Sequence, residues 1–453
     1  MKRVLLVAYY FPPVAASGSL RPLAFCRHLE SFGWAPSILS TDSASLNPPL
    51  GSDEGLLANV PSHIKVDRVP HRDRLQFAIE ARKALFRPSR QRAGDREQME
   101  VAATTSWIRQ RRELLLAHLF GFPDQQASWV RPAVRHAVSA SSCEPVDVVL
   151  ATGKPWTGLL VGQRIAERLG VPFIADFRDP WTRNPYGEWH EPSLLSRARR
   201  LERHIVAKAS CVIANTEELR QQFERDYPDM RGKFVTITNG FEDWMTDGDN
   251  SAPKSAGIER RASGLDMWHF GSVYGKRDPL SLLAAVRTLH EQGVVTPRTF
   301  RLRFVGEWSV TSPVTNSLAG QLEQNGLMVR VAPISHEESL RQMRASPILL
   351  AIQPSSPLQI PGKLYEYIAA GRPVLVVGGE GATAALVEKH HLGRHCPDRV
   401  PDLMQLLSEL LERDSLRAPD PSTRSAFHYH ELTRKLATRL DEAVADPRDR
   451  ACA

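Results

Sequence analysis

The sequence predicts an α/β protein built from two doubly wound, parallel-sheet domains. Three observations carry the prediction. At 453 residues the chain is too long for one core of ordinary size. Apolar, β-branched runs alternate with helix-period segments in both halves, the order of an open parallel sheet with helices on both faces. Residues 355–379, SSPLQIPGKLYEYIAAGRPVLVVGG, read as loop, helix, turn and buried strand in one continuous unit.

In chain order, residues 3–8 form the first strand, an apolar run closed by Tyr9-Tyr10-Phe11-Pro12-Pro13. The small-residue loop 15–19 follows, then a helix over 21–31 that ends near Gly33. Further strands are expected at 35–40, 65–69, 147–151, 173–176, 211–215 and 234–238, with helices at 161–169 and 194–208. Residues 71–128 break this rhythm. Helical spacing at 78–86 gives way to a basic, apolar-poor stretch at 88–100 and then to an amphipathic helix at 107–120. This segment reads as an insertion, a mobile loop flanked by two helices. Residues 241–265 are polar and rich in Gly, Asp, Ser and Pro, the composition of a linker.

A second α/β series has strands at 267–270, 301–305, 328–331, 348–352 and 374–377. Its helices fall at 280–292, 317–324, 337–345, 363–370 and 403–413, and a last helix spans 422–444. The expected organisation is a first domain over 1–245, a linker over 246–265, a second domain over 266–421, and a final helix and tail over 422–453.

Composition narrows the class. Apolar residues at 42% and charged residues at 24% suit a globular protein in water. A net charge of +7 is mild for the length, and no nucleic-acid partner is expected. Its distribution is uneven, with twelve Lys or Arg against five Asp or Glu between Arg68 and Arg112. Cys26, Cys143, Cys211, Cys396 and Cys452 are scattered, without C-x-x-C spacing or close His partners. That pattern suggests reduced, mostly structural thiols in a cytosolic protein, and no metal site. No apolar run reaches bilayer length, and the N-terminal run is a strand rather than a signal peptide.

Several segments combine residue types that suit a ligand. Pro361 and Gly362 sit where a helix begins, and Gly371 sits where it stops. A helix N-terminus offers unpaired N–H groups and the positive end of a dipole, which suit a phosphate. One turn in, Glu366 is either an acceptor for both hydroxyls of a ribose or a solvated carboxylate. Together with Lys363 and Leu364 at the helix start, this makes a candidate nucleotide site. The Gly271 loop carries Lys276 and Arg277, either a diphosphate clamp or a basic turn.

In the first half, the loop containing Ser17 and Gly18 lies outside the carboxyl end of the first strand, where open α/β sheets bind ligands. Arg21 either contacts a phosphate or packs on the helix face. The run Asp176-Phe177-Arg178-Asp179-Pro180-Trp181 delivers two carboxylates at a strand end, with Trp181 as a flat platform for a sugar. The alternative is an Arg–Asp pair that pins the loop. Thr152, after another strand, is a further candidate for the acceptor side.

The run Pro361-Gly362-Lys363-Leu364-Tyr365-Glu366-Tyr367-Ile368-Ala369-Ala370-Gly371-Arg372-Pro373-Val374 resembles the nucleotide-sugar half of GT-B glycosyltransferases, especially family 4-like enzymes. Tyr10-Phe11-Pro12-Pro13, followed by a Gly loop and Arg21, is similar to the opening of their N-terminal domain. The Asp176–Trp181 run is similar to a D-x-R-D-x-W motif seen there. Together these likenesses cover nearly the whole chain.

The resemblance implies two Rossmann-like domains with an active cleft between them and a final helix that crosses back. It implies transfer from a nucleotide diphosphate sugar to a glycan or lipid-linked acceptor, with retention, no required metal and no further cofactor. Asp179, then Asp176 and Arg178, are the implied catalytic group. Pro333 and Ile334 fall in the segment that meets the base.

Two departures stand out. Leu358 occupies the place of a Glu eight residues before Glu366, and no histidine lies near Thr152. The alternatives are a GT-B sugar-nucleotide epimerase and a non-catalytic nucleotide-sugar-binding relative. The expected location is cytoplasmic, with the basic insertion making peripheral contact at the inner membrane surface.

Overall fold

The structure, a computed structural model, describes residues 1–46, 50–71, 121–184, 191–246, 264–275, 277–353, 356–412 and 416–445. The chain divides into two compact units. The first comprises Met1–Ala214, Phe223–Val235 and Thr433–Ala453, and the second comprises Asn215–Gln222 and Thr236–Leu432.

The first unit is organised by β1 (Lys2–Val7), α1 (Ser17–His28), β2 (Trp34–Thr41), α2 (Glu54–Ala58), β3 (Val66–Val69), α3 (Val130–Ser141) and β4 (Val148–Gly153). It continues through α4 (Trp156–Leu169), β5 (Phe173–Phe177), α5 (Pro192–Lys208), β6 (Cys211–Ala214), α6 (Glu217–Asp226), whose residues up to Gln222 count with the second unit, and β7 (Phe234–Thr236). The seven strands run in the order β3-β2-β1-β4-β5-β6-β7, and the ladders of β1, β2, β4 and β5 are parallel. β4 and β5 are buried along their whole length, which explains why their sequences are apolar apart from Thr152 and Asp176.

The second unit begins with α7 (Asp243–Thr246), β8 (Leu265–Phe270), β9 (Val273–Tyr274), α8 (Leu280–Glu291), β10 (Phe300–Val305), β11 (Trp308–Ser309), α9 (Pro313–Gln324) and β12 (Met328–Val331). It continues with α10 (His336–Ala345), β13 (Ile348–Gln353), α11 (Lys363–Ala370), β14 (Val374–Gly378), α12 (Ala382–Lys389), β15 (Gly393–Cys396) and α13 (Val400–Glu412). Two helices close the chain, α14 (Pro421–Ser425) and α15 (Tyr429–Ala445).

The main sheet order is β12-β10-β8-β13-β14-β15, all parallel in register. One face of this sheet buries Met267, Leu350, Ile352 and Leu375 against α8, α9 and α13. The other buries Trp268, Phe270, Leu349, Ala351 and Val376 against α10 and α11.

The helices start and stop where local chemistry dictates. Ser312 caps α9 through the Thr315 N–H, with Pro313 in the first turn. Ser335 caps α10 through the Glu338 N–H, and Glu337 and Glu338 follow at the positive end. α11 ends at Gly371, whose φ of 65° puts it in the left-handed region.

Some expectations need revision. α1 begins one turn before the sequence suggests, so Pro22 lies inside the helix. The expected single last helix is two helices, broken at residues 426–428. The insertion over 71–128 falls largely on residues outside the described ones, as does Lys276. Among the described residues, Cys26, Cys143, Cys211 and Cys396 are free thiols, and burial pushes Cys26 up to about 12. Among the described residues no helix is long and apolar enough to cross a membrane.

Candidate functional site

In each main sheet the strand order turns back at one point, between β1 and β4 in the first unit and between β8 and β13 in the second. Open α/β sheets bind ligands outside the carboxyl ends of the strands at that switch point. In the second unit, Gly271 follows β8, and α11 follows β13 through the loop 356–362. The sequence-predicted residues Gly271, Arg277, Gly362, Lys363, Leu364 and Glu366 therefore lie on the connections that leave this edge.

Tyr367, which sequence reasoning did not single out, joins these parts. Its buried hydroxyl accepts from the Phe270 N–H at 2.8 Å and lies 3.3 Å from the Leu350 carbonyl. This ties α11 to the strand end from which the Gly271 loop leaves. At the start of α11, the Leu364 N–H bonds Pro361 O and the Tyr365 N–H bonds Gly362 O. The N–H groups of Gly362 and Lys363 make no hydrogen bond among the described residues. They are the orphan donors of the helix end. Leu364 is fully buried, so its side chain is core and only its backbone belongs to the site.

Glu366 is 12% exposed and meets two side-chain nitrogens on one oxygen. Lys363 Nζ donates to its Oε2 at 2.9 Å, and His336 Nε2 lies 3.4 Å from the same atom. Burial would raise the Glu366 pKa, but the His336 hydrogen bond and the Lys363 charge outweigh it and hold the carboxyl below its usual range. Glu366 is therefore ionised, with Oε1 facing no partner among the described residues. His336 opens α10 and packs edge-on against Trp244, with ring centroids 5.7 Å apart. His336 carried no sequence signal beyond its position beside the segment containing exposed Pro333 and half-buried Ile334, and Trp244 carried none.

Arg277 is half-buried, with its guanidinium 5.5 Å from the Tyr274 ring centre. Burial pushes the nearby His269 imidazole down to about 4 against its hydrogen bond to Leu350 O, and the charges of Arg277 and Lys363 act in the same direction. The loop before α11 is pinned from several sides. Thr216 Oγ1 donates to Leu358 O at 2.8 Å, the Ala382 N–H to Pro357 O at 2.8 Å, and Thr383 Oγ1 to Gln359 O at 3.2 Å. Leu358 thus contributes a fixed backbone where a carboxylate is absent.

The far end of α11 is equally restrained. Arg424 Nε donates to Ile368 O at 2.9 Å and Nη2 to Ala369 O at 2.5 Å. The guanidinium lies against Gly371, where an added Cβ would come within 2.7 Å of Nη1. A cation at a helix C-terminus meets both the orphan carbonyls and the negative dipole end.

In the first unit the geometry corrects three expectations. Arg21 and Asp176 form a bidentate pair, with Nε–Oδ2 at 2.9 Å and Nη2–Oδ1 at 2.8 Å. They are 2% and 1% exposed, so Arg21 is not placed for a phosphate nor Asp176 for an acceptor proton. A carboxylate inside an apolar strand requires such a partner. Trp181 is 1% exposed and stacked on Trp156 at 4.9 Å, so it is a core ring and not an open sugar platform.

Arg178 turns back on the loop after β4. Its Nε donates to Gly153 O at 3.2 Å and its Nη2 bonds Lys154 O. It also packs on Gly18, where a Cβ would stand 2.7 Å from Nη1, so a larger residue there would displace the guanidinium.

Asp179 remains half-buried on the same loop, Ser17 is exposed at the first turn of α1, and Thr152 is buried near the end of β4 with no partner for Oγ1 among the described residues. The Asp179 loop is anchored downstream. The Thr182 N–H and Oγ1 both donate to Glu202 at 3.1 Å, Tyr227 OH donates to Glu202 at 2.6 Å, and Arg183 pairs with Asp226.

Comparison with known proteins agrees with this architecture. Residues 19–240 match the family described as glycosyl transferase 4-like domain. No curated protein matches the sequence. Among solved structures, Alr3699/HepE of Anabaena in complex with UDP is similar at 14% identity and a TM-score of 0.59, covering 98% of this chain and 100% of that one. A glycosyltransferase from Rickettsia africae is similar at 13% identity and 0.59, covering 98% and 99%. A UDP-GlcNAc 2-epimerase from Methanocaldococcus jannaschii is similar at 12% identity and 0.50, covering 98% and 100%. At these identities the likeness establishes the fold, which is GT-B.

Proposed function

We propose that this chain is a glycosyltransferase that moves a sugar from a nucleotide diphosphate sugar to a glycan or lipid-linked acceptor, with retention of configuration. The observation that carries the reading is the start of α11. Two open N–H groups stand one turn before an ionised Glu366, at the switch point of the second sheet. In this reading the N–H groups of Gly362 and Lys363, with the Lys363 and Arg277 side chains, receive the negative charge that grows on the departing diphosphate. Glu366 Oε1 accepts from ribose hydroxyls, and the segment with Pro333 and Ile334 lies toward the base. Asp179 serves the acceptor side, with Thr152 and Ser17, the three lying at or after the carboxyl ends of the neighbouring strands β5, β4 and β1.

A second reading, sugar-nucleotide epimerisation, draws support from the epimerase among the similar structures. A third, binding without catalysis, draws on Leu358 and the missing histidine. Incubating the protein with a panel of nucleotide sugars, beginning with UDP-sugars because the Anabaena neighbour was solved with UDP, separates them. Transfer or slow hydrolysis supports the first reading, and a C2-inverted sugar nucleotide supports the second. Binding with neither product supports the third, and no binding refutes all three.

The basic insertion belongs to the same proposal as a peripheral contact with anionic membrane. Co-sedimentation with anionic but not neutral vesicles at low salt, lost when Arg87, Arg90, Arg92 and Arg96 become Ser, is the expected result. No sedimentation at low salt removes membrane contact from the proposal.

A further inference from the structure

Gln353 is the last residue of β13 and is 6% exposed. Its Oε1 has no hydrogen-bond partner, and the amide as a whole makes no hydrogen bond among the described residues. Buried side-chain amides are paired in the great majority of cases, so an unpaired one needs a reason. Strand alternation shows where it points. Leu350 and Ile352 face the core formed with α8, α9 and α13, while Leu349 and Ala351 face the core formed with α10 and α11. Gln353 follows Leu349 and Ala351 in this alternation and so projects on the α10–α11 face. That is the face whose helices carry His336, Lys363 and Glu366. Its position along the strand is the carboxyl end, and β13 borders the switch point with β8.

The first unit repeats the arrangement. β4 is the strand at the switch point with β1, and Thr152, next to its last residue, is 5% exposed with Oγ1 unpaired. In both sheets the strand at the reversal thus carries, at or next to its last residue, a buried polar side chain with an oxygen unpaired among the described residues. At an ordinary strand end this would be a plain loss of stability. At a binding crevice it is a group kept ready for a ligand.

We infer that Gln353 is a binding residue for the donor, its amide hydrogen-bonding the ribosyl diphosphate portion of the nucleotide sugar. This rests on the nucleotide-sugar reading of the second unit. An amide offers an acceptor for a ribose hydroxyl and two donors for phosphate oxygens, and a ribosyl diphosphate presents both kinds of group within a short span. Glu366 supplies only an acceptor, and the start of α11 supplies only donors.

The test uses the full chain and two variants, Gln353→Leu and Gln353→Met, which keep the size and remove the amide. Wild type and variants are titrated calorimetrically with UDP, ADP and GDP and melted without ligand. The expected result is a loss of about fivefold to tenfold in affinity for whichever diphosphate the wild type binds. The ligand-free melting temperature should stay level or rise, because an unpaired buried amide has been replaced by an apolar side chain. Undiminished affinity in both variants, with Glu366→Ala still weakened, overturns the inference alone. A fall in melting temperature in both variants shows an internal structural role and also overturns it. A wild type that binds none of the three diphosphates overturns the inference together with the nucleotide reading.

Discussion

Replacing Glu366 by alanine should separate recognition of ribose from recognition of phosphate. The carboxylate has two tasks in this geometry. Oε2 pairs with Lys363 and faces His336, and Oε1, without a partner among the described residues, is the atom that the proposed function gives to ribose hydroxyls. Losing the second task removes a charge-assisted hydrogen bond worth about 1.5–3 kcal/mol, a factor of roughly 10–150 in affinity. Losing the first task releases the Lys363 ammonium. A unit charge about 8 Å from a phosphate at an effective dielectric of about 20 contributes roughly 2 kcal/mol of attraction. Screening of a side chain one-third exposed to water reduces that to about 1 kcal/mol or less.

The two effects have opposite signs for a diphosphate, and only the loss applies to a nucleoside. Titration with a nucleoside and its diphosphate should therefore show the nucleoside losing about tenfold or more, and the diphosphate losing several-fold less. The folded state should survive, because Lys363 and His336 both reach solvent. Equal affinity of variant and wild type for both ligands would refute the placement of ribose at this helix. A larger loss for the diphosphate than for the nucleoside would refute the division of labour between Glu366 and the helix N-terminus.

Three further outcomes follow from the same geometry. Asp179→Asn should leave nucleotide affinity nearly intact while transfer falls by orders of magnitude; a joint collapse of affinity and melting temperature would make the loop structural. Arg424→Met removes two hydrogen bonds from the last turn of α11 and should cost about 1–2 kcal/mol in urea unfolding, with weaker nucleotide binding, and an unchanged midpoint would contradict this. Burial raises the Glu202 pKa above its ordinary value despite the donors from Tyr227 and Thr182, so its stabilising contribution is full below the unfolded value near about 4.3 and is lost as pH rises through the folded value. Glu202→Gln should accordingly gain on wild type in melting temperature as pH rises from about 4 to 8, and a gap independent of pH would show that Glu202 does not titrate differently in the folded state.

The parts of the fold that could be read from sequence are those where burial imposes one composition. β4, β13 and β14 are buried on both faces and appear as continuous apolar runs. α11 is legible to the residue because Gly371 supplies the left-handed stop. β15 escaped because only Cys396 in Gly393–Cys396 is fully buried, so an edge strand presents no apolar run. α6 escaped because its buried stripe rests chiefly on Leu219 and Phe223 in an otherwise charged segment.

Site residues divide differently. Chain motifs located the two switch points, but not which charges are spent internally. Arg21 and Asp176 are 155 positions apart, and their pairing is a tertiary fact. One signal was present. Asp176 lies within the apolar run Ile174-Ala175-Asp176-Phe177, and a carboxylate in such a strand needs a buried cation, whereas Asp179 lies past the strand end and has no such requirement.

That distinction extends to the whole second unit and explains why α11 is built as it is. Its C-terminal turn is bound by Arg424, its middle by Tyr367, and its buried face by Leu364, Tyr365 and Ile368 in the sheet core. Among the described residues, its N-terminal turn keeps two N–H groups and one Glu366 carboxylate oxygen without partners, while Gln353 Oε1 is unpaired at the adjoining strand end. A helix fixed at one end only by packing would satisfy its free donors by fraying or by bending onto a side chain. Restraint at the far end and the middle prevents both, so the open groups hold their spacing before any ligand arrives. Under the proposed function, a ligand with matching acceptors and hydroxyls meets donors already oriented, with little ordering cost at binding. The loop pinned by Thr216, Ala382 and Thr383 extends the same rigidity to the backbone at Leu358. Under the same proposal, that fixed main chain presents its polar groups to a donor sugar at a position where this chain has no carboxylate to offer.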